Sequence, residues 1–343
     1  MIHNKETSRR VMAVLLLMVC ISACSLDAAG LAPAGQKVEM RPRILFVHSE
    51  STYWGWGRLD KIDKQYHKKL TDAGYWGELC HYDELSEEKL SDYNVVALIH
   101  PIVNCGQSPF TDKVNRMITK FTAAGGGLLI MPGSNEYTYP EFHKHVNSFL
   151  KLLGAEIYNE RIEDKEHLKT IHRFSDFKYC WTKNVKPHPV TEGLAKIWYP
   201  LSEYDHWVRT FPMKVDDNWR IIIRGEKTAC SYQFEPLGRG KKIAGVYTSE
   251  PPLLAVRNFR AGRIVLFTTD ARYFITDGYH NLYAKGFILE AGGFRLLTNI
   301  YDWLAEPSLA GGKAGVTAEN IEAIKHEMAQ AELARKNPDK TSW

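Results

Sequence analysis

The sequence lacks a strong net charge, and this removes one large class of partners. Its 343 residues include 44 lysines and arginines against 40 aspartates and glutamates, for a formal net charge of +4. Domains that bind nucleic acid neutralise many phosphates and carry a concentrated basic surface. We therefore expect no nucleic-acid partner. The hydrophobic content of 44% is instead typical of a globular protein.

Closely spaced cysteine pairs are also missing. The chain has six cysteines, and none of them forms a C-x-x-C motif, which disfavours zinc sites and thioredoxin-like chemistry. Cys80 and Cys105 follow strands that we expect to lie close together. A disulfide between them, inert thiols and a nucleophilic Cys105 remain open at this stage, and we predict neither a metal nor a cofactor.

The apolar run at the start of the chain is too short to cross a membrane as a helix. It covers residues 11–23, whereas a helix needs about 20 residues to cross a bilayer core. Lys5, Arg9 and Arg10 precede it, and this layout is typical of a secretory signal. Removing residues 1–23 takes away three basic residues and one acidic residue, so the net charge falls from +4 to +2.

The end of this run, Ile21-Ser22-Ala23-Cys24, resembles the lipobox of bacterial lipoproteins. The resemblance implies cleavage before Cys24 and a lipid on its thiol, and Ser25 in place of an aspartate implies the outer membrane. An ordinary signal with an incidental cysteine is the alternative. Residues 24–41 are rich in alanine, glycine and proline, which predicts a flexible tether between the membrane and a globular domain.

Strands and helices alternate in the first half of the chain. Apolar runs predict strands at 43–48, 78–82, 94–100, 128–131 and 155–158. Helical spacing predicts helices at 59–70, after an N-cap at Thr111, and at 142–153, with glycines at their ends. The alternation predicts a parallel sheet with helices on both faces, and the near-continuous apolar strands fit such a sheet.

The second half of the sequence is rich in closely spaced strands. They are predicted at 219–223, 229–234, 243–247, 253–256 and 263–268, as an antiparallel extension that leads back into the main sheet. A helix at 287–304, a small-residue linker at 307–315 and a charged helix at 319–335 complete the chain.

Four stretches together resemble the class I glutamine amidotransferase-like superfamily and, within it, ThuA-like domains. They are RILFVHSES (43–51), SPFTDKVNRMITKFTAAGGGLLIM (108–131), HPVTEGL (188–194) with Ser202-Glu203-Tyr204, and GRIVLFTTDARYF (262–274) with FRLLTNIYDWLAE (294–306). The resemblance covers residues 42–306 and implies a flavodoxin-like α/β fold. Residues 307–343 then form a linker and a C-terminal helix.

The sequence departs from this superfamily where the catalytic residues of active amidotransferases lie. The turn that would carry the nucleophile is Met131-Pro132-Gly133-Ser134-Asn135, which has no cysteine. Asp270, Ala271 and Arg272 stand where a His-x-Glu pair would follow the late strand. Because a cysteine nucleophile needs a thiolate and a nearby base, we expect no glutaminase activity, and whether the chain is an enzyme stays open.

Ligands of open α/β sheets bind at the carboxyl ends of the strands, so the candidate site residues are those that follow predicted strands. The candidates for ligand binding are His48, Glu50, Tyr53, Trp54, Trp56, His100, Asn104, Ser134, Asn135, Asp270 and Arg272. Three of the acidic residues near these ends are candidates for acid–base catalysis: Glu50, Glu136 and Asp270. The mixture of aromatic and polar groups suits a sugar.

Each of these groups also has a structural alternative. The tryptophans after the first strand could pack over the sheet end, the Gly-Ser-Asn stretch is a turn signal, and Asp270 with Arg272 could form an ion pair. His188, Glu203, Asp205 and His206 include metal-ligand types but lack H-E-x-x-H spacing. The superfamily resemblance implies that His188 is structural.

The sequence therefore predicts a lipid-anchored α/β domain that binds a carbohydrate or an envelope protein. The alternative is a carbohydrate-active hydrolase that uses two carboxylates at the sheet edge, which requires those groups at a defined separation. A purely structural subunit that docks through its C-terminal helix is the third hypothesis.

Overall fold

The fold described below is that of a computed structural model. It describes residues 40–48, 57–62, 64–99, 108–132, 142–170, 177–202, 210–234, 242–269, 271, 274–278, 292–317, 320–323 and 326. The compact unit that contains them is Met40–Trp343. Among these residues, no helix is long and apolar enough to span a membrane.

Seventeen strands and five α-helices make up the described regular structure. The strands are β1 Arg43–His48, β2 Gly57–Ile62, β3 Trp76–His81, β4 Val95–Ile99, β5 Gly127–Met131, β6 Ala155–Ile157, β7 Arg161–Glu163, β8 Leu168–Thr170, β9 Phe177–Thr182, β10 Ile197–Ser202, β11 Met213–Val215, β12 Arg220–Arg224, β13 Cys230–Phe234, β14 Lys242–Ala244, β15 Pro252–Phe259, β16 Gly262–Phe267 and β17 Thr276–Gly278. The helices are α1 Lys64–Asp72, α2 Glu87–Ser91, α3 Asp112–Ala123, α4 Phe142–Leu150 and α5 Phe294–Ala310. Short 3₁₀ helices cover Tyr82–Glu84, Lys151–Leu153 and Pro189–Thr191.

A seven-stranded sheet forms the centre of the unit, with the strand order β12-β15-β16-β5-β4-β1-β3. The five strands from β16 to β3 pair in parallel. Strand β15 is antiparallel to β16, and β12 is antiparallel to β15. This is a flavodoxin-like α/β fold, as the sequence predicted.

Both faces of the central sheet are covered, so its strands alternate between two cores. Ile44 and Phe46 pack into one core with α1 and α5. Leu45 and Val47 pack into the other core with α3 and α4. Because both faces are dry, these strands contain few polar residues, which made them easy to recognise in the sequence.

The glycines between α3 and β5 are needed for a turn and for close packing. Gly125 has a φ of +108°, a backbone conformation that residues with a side chain rarely adopt. A Cβ at Gly127 would lie 2.6 Å from the carbonyl oxygen of Leu304. The triple glycine therefore reverses the chain and lets α5 pack closely against β5. The predicted N-cap is also confirmed, because the Thr111 hydroxyl accepts the amide of Val114.

Residues between α4 and β15 form small antiparallel sheets next to the central one. Their strand orders are β11-β6, β14-β13-β7 and β10-β9-β8. The last of these is joined to the central sheet where main-chain bonds link Lys186 to Ile222 and Arg224 to Asn184. Antiparallel strands in the second half of the chain are thus confirmed. Of the five predicted there, however, β12, β15 and β16 lie in the central sheet and only β13 and β14 lie in a separate one.

Three predicted elements are wrong in their bounds or partners. The helix predicted at 59–70 is preceded by β2, whose Ile62 pairs with Thr276 of β17, and only Lys64–Asp72 is helical. The strand predicted at 155–158 is β6, and it pairs with β11 and not with the parallel sheet. Helix α5 continues through Pro307 to Ala310 although proline is a poor helix former; in this last turn Ser308 is buried and Leu309 packs against the core.

The histidine of the HPVTEGL stretch is structural, as predicted. The Nδ1 atom of His188 accepts the amide of Val190 and caps the 3₁₀ helix Pro189–Thr191. Its ring lies edge-on to Trp303, with the centroids 5.0 Å apart. Burial, helped by the charges of Arg220 and Arg263, lowers the pKa of His188.

The lowered pKa of His188 predicts a loss of stability in mild acid. The unfolded state takes up the proton near pH 6.5, whereas the folded state resists it. The stabilisation is fully present above that pH and is lost as the pH falls through the lower folded pKa. Denaturant unfolding at a series of pH values measures this loss. As the pH falls, the free energy of unfolding should decline less for His188→Asn than for the wild type, because asparagine keeps a cap without titrating. His326→Asn, at an exposed helical position, should match the wild type, and an equal decline in all three proteins would contradict the assignment.

Candidate functional site

The carboxyl edge of the parallel strands carries two histidines that the strand pairing places side by side. His48 ends β1 and His81 ends β3, and the two residues are register partners. Their rings lie edge-on with centroids 5.7 Å apart, and His48 is only 8% exposed. His81 uses its Nδ1 atom to accept the amide of Asp83 and caps Tyr82–Glu84. His81 therefore orders the chain where it leaves β3.

Cys80 lies beside these histidines and is poorly suited to nucleophilic chemistry. It is a free, buried thiol, and its Sγ atom donates to the carbonyl oxygen of His81. Burial raises its pKa, so the thiol stays protonated at neutral pH. Cys180 and Cys230 are also free. The structure therefore shows Cys80 as an inert thiol and not as half of a disulfide.

His48 is the one predicted site residue that falls within the described part of the chain. The others lie outside the described residues: Cys24, Glu50, Tyr53, Trp54, Trp56, His100, Asn104, Cys105, Ser134, Asn135, Glu136, Asp270 and Arg272. The same holds for Glu203, Asp205 and His206. Within the described part, no group of three or more histidine, cysteine or acidic residues is arranged to hold a metal ion.

The strand order bears on the predicted pair of catalytic carboxylates. Glu50 follows β1, Glu136 follows β5 and Asp270 follows β16 in the sequence. Strands β5 and β16 are neighbours, whereas β4 and β5 separate β1 from β16. The three carboxylates themselves lie outside the described residues, so the predicted pair stays a prediction.

Three buried threonines join the antiparallel extension to the end of β16. The Thr210 hydroxyl donates to the carbonyl oxygen of Pro200 at 3.0 Å and lies 3.4 Å from the hydroxyl of Thr269. The Thr268 hydroxyl donates to the carbonyl oxygen of Leu253. Because these hydroxyls are buried and hydrogen-bonded, they hold the extension against the sheet edge.

Buried acidic residues around β7 are also satisfied internally. The Glu160 carboxylate accepts the Ser231 hydroxyl at 2.5 Å and the amide of Val246 at 2.9 Å. The Glu163 carboxylate pairs with the Lys242 ammonium at 2.8 Å. Buried charges of this kind fix the packing of a segment, and these two glutamates hold β7, β13 and β14 together.

The outer face of the β8-β9-β10 sheet carries a half-buried aromatic pair. Trp181 of β9 and Trp198 of β10 are direct register partners, so both project from the same face. Their ring centroids are 6.4 Å apart at 61°. The next pair on this face, Tyr179 and Pro200, is buried, whereas the two tryptophans are half-buried.

Polar groups surround this pair of tryptophans. The Lys196 ammonium lies 4.6 Å from the ring centroid of Trp198 and 5.2 Å from that of Trp181. The Lys183 ammonium lies 5.8 Å from the Trp181 centroid. The His167 ring stands edge-on to Trp181 with the centroids 4.3 Å apart. We call Trp181, Trp198, Lys183, Lys196 and His167 the aromatic patch.

A fully buried carboxylate holds the histidine of the aromatic patch. The Asp164 carboxylate accepts a hydrogen bond from the Nδ1 atom of His167 at 2.9 Å. It also accepts one from the Thr228 hydroxyl, which lies 2.9 and 3.0 Å from its two oxygens. It also accepts the amides of Glu166 and His167, which closes the turn from β7 to β8.

Sequence analysis missed the aromatic patch. Its one signal was a tryptophan next to lysine-bearing positions in each of two successive strands, WTK (181–183) and KIW (196–198). Those residues are brought together only by the register of β9 against β10, which could not be inferred from one sequence.

No known protein family matches the sequence, and no curated protein does either. Among solved structures, the N-terminal domain of mmIFT52 shares 14% identity, covers 76% of this chain and 96% of its own, and has a TM-score of 0.50. A likeness at this identity shows the fold alone.

Two solved structures named as ThuA-like proteins are also similar. The one from Bacteroides uniformis ATCC 8492 shares 16% identity over 79% of this chain and 94% of its own, with a TM-score of 0.44. The one from Parabacteroides merdae ATCC 43184 shares 15% identity over 80% of this chain and 91% of its own, with a TM-score of 0.39. Membership of the amidotransferase-like superfamily stays a prediction.

The buried thiols generate a direct chemical test. Burial raises the pKa of Cys180 to about 12 and also raises that of Cys80. We expect neither residue to react with iodoacetamide in the folded protein at pH 8, and both to react in denaturant, as followed by peptide mass spectrometry. Alkylation of Cys80 in the folded protein at the rate seen in denaturant would contradict its burial, and so would a Cys80–Cys105 disulfide peptide.

Proposed function

We propose that this domain binds carbohydrate through the aromatic patch. The observation that carries the proposal is the register pair Trp181–Trp198, two half-buried indoles on one face of the sheet. An indole offers a large, rigid apolar surface with a polar edge, which suits the apolar face of a pyranose ring. Ligand sites combine such surfaces with a few polar groups that fix the orientation of the ligand.

The two lysines of the patch do not prevent stacking. Lys183 is exposed and Lys196 is half-buried, and a cation–π contact at an exposed site is worth only about 0.5–1 kcal/mol. A sugar that covers an indole buries more apolar area than a lysine ammonium does, at about 25 cal/mol per Å². The displaced ammonium groups then become hydrogen-bond donors for hydroxyl or ring oxygens.

The patch retains the predicted ligand class but changes the residues that bind it. The carbohydrate hypothesis began with Tyr53, Trp54 and Trp56, which lie outside the described residues. The patch lies in the antiparallel extension, where β9 runs on to bond with β12 of the central sheet. No paired-carboxylate chemistry is part of this proposal, which is a binding function.

Replacing one indole tests the proposal. With the full-length protein on a glycan panel, Trp181→Ala should weaken binding about tenfold, equivalent to about 1.4 kcal/mol, because the stacking surface is lost. The matched control is Trp76→Ala, a half-buried tryptophan on β3 at the far end of the central sheet, which should bind as the wild type does. The proposal fails if the wild type binds no glycan, or if both variants bind equally.

We further propose that the domain acts while tethered to the outer membrane through a lipid on Cys24. The lipobox resemblance at residues 21–24 and the basic, apolar start of the chain support this proposal. The compact unit begins at Met40, within the last two residues of the stretch expected to be a tether. Lipid on the cysteine would supply binding energy of about 0.8 kcal/mol per buried methylene.

Labelling with a radioactive fatty acid tests the anchor. We expect the wild type to incorporate label and to sediment with membranes, and Cys24→Ser to do neither. Cys20→Ser, which removes the other cysteine of the leader, should behave as the wild type does. Membrane-bound, unlabelled wild type would contradict the lipoprotein assignment.

A further inference from the structure

The hydrogen bonds around Asp164 fix the tautomer of His167. A carboxylate has only acceptors to offer, so the Nδ1 atom of His167, 2.9 Å from Asp164, must donate. The Thr228 hydroxyl lies 3.1 Å from Nδ1, but it donates its single hydrogen to the same carboxylate and so can only accept from Nδ1. In the neutral imidazole, the proton is therefore on Nδ1 and the lone pair is on Nε2.

The His167 ring is also held close to Trp181. The amide of Trp181 donates to the carbonyl oxygen of His167 at 3.0 Å. The imidazole stands almost perpendicular to the indole, at 84°. The His167 side chain is 24% exposed, and within the described part of the chain its Nε2 atom has no partner. The ring that carries this acceptor thus lies beside the indole, and a buried carboxylate holds it there.

We propose that His167 is the specificity-determining residue of the carbohydrate site and that its Nε2 atom accepts a hydrogen bond from a free hydroxyl of a sugar stacked on Trp181. This inference rests on the proposed carbohydrate function. A ligand with a hydroxyl at that position pairs with the lone pair. An ether, ester or sulfate oxygen there has no hydrogen to donate and leaves the acceptor unpaired. The site therefore selects saccharides that are unsubstituted next to the stacking face.

The competing explanation is that Asp164 and His167 only staple the turn between β7 and β8. Asp164→Asn separates the two roles, because the amide group of asparagine donates toward Nδ1 where the carboxylate accepted. The ring then carries its proton on Nε2, and the acceptor becomes a donor. If the two residues only stabilise the turn, Asp164→Asn should lower the stability of the protein without changing its ligand selectivity.

The experiment uses the full-length protein, ¹⁵N-labelled at histidine, with two probes: methyl β-cellobioside and its fully O-methylated derivative. NMR should show the Nδ1–H tautomer in the wild type and the Nε2–H tautomer in Asp164→Asn. We expect the wild type to prefer the hydroxylated probe at least tenfold, and Asp164→Asn to lose that preference. His167→Phe keeps a ring beside Trp181 but has no acceptor, so it should also lose the preference for the hydroxylated probe. This variant keeps the test valid if Asp164→Asn does not fold.

The control is Thr228→Val, which removes a hydroxyl from the same carboxylate but leaves Nδ1 bonded to Asp164. It should keep the Nδ1–H tautomer and the preference for the hydroxylated probe. If the wild type binds both probes equally and Trp181→Ala abolishes both, the His167 inference is overturned and the carbohydrate function stands. If Trp181→Ala binds the probes as tightly as the wild type does, or the wild type binds neither, both proposals are overturned.

Discussion

The burial of the central sheet on both faces is the constraint on which the rest of the fold depends. Residues of β1 alternate between two dry cores, and the other parallel strands do the same. Polar chemistry is therefore excluded from the middle of the sheet. Polar groups occur instead at the strand ends, as with His48 and Thr268, and in the antiparallel extension, where the buried carboxylates of Glu160, Glu163 and Asp164 lie.

The extension contains buried charge, and each of the acidic groups considered has its partners. Glu160 and Asp164 flank β7 and accept hydroxyl and amide donors from more than one segment. Such networks are favourable only when they are fully satisfied. Their consequence is a rigid support beneath the β8-β9-β10 sheet, where the register of β9 against β10 sets the face that the tryptophans occupy. A slip of one residue would turn both indoles to the other face.

The sequence was sufficient to predict the central sheet, because its strands are short apolar runs separated by helical spacing and glycine turns. It also predicted the cap at Thr111, and the superfamily resemblance implied a structural role for His188 but not its capping role. The strand β2 was missed because its partner β17 is over 200 residues away, and β6 was placed in the wrong sheet because periodicity does not reveal a partner. The aromatic patch was missed for the same reason, since Trp181 and Trp198 meet only through register. Most of the predicted site residues lie outside the described residues.

The most direct test of the account follows the nine tryptophan indole N–H signals by ¹H–¹⁵N NMR while an oligosaccharide is titrated into the full-length protein. The account predicts that the signals of Trp181 and Trp198 shift together, with one dissociation constant, while that of Trp76 stays in place. Saturable binding that moves other tryptophan signals and leaves these two unchanged would contradict the aromatic patch as the carbohydrate site.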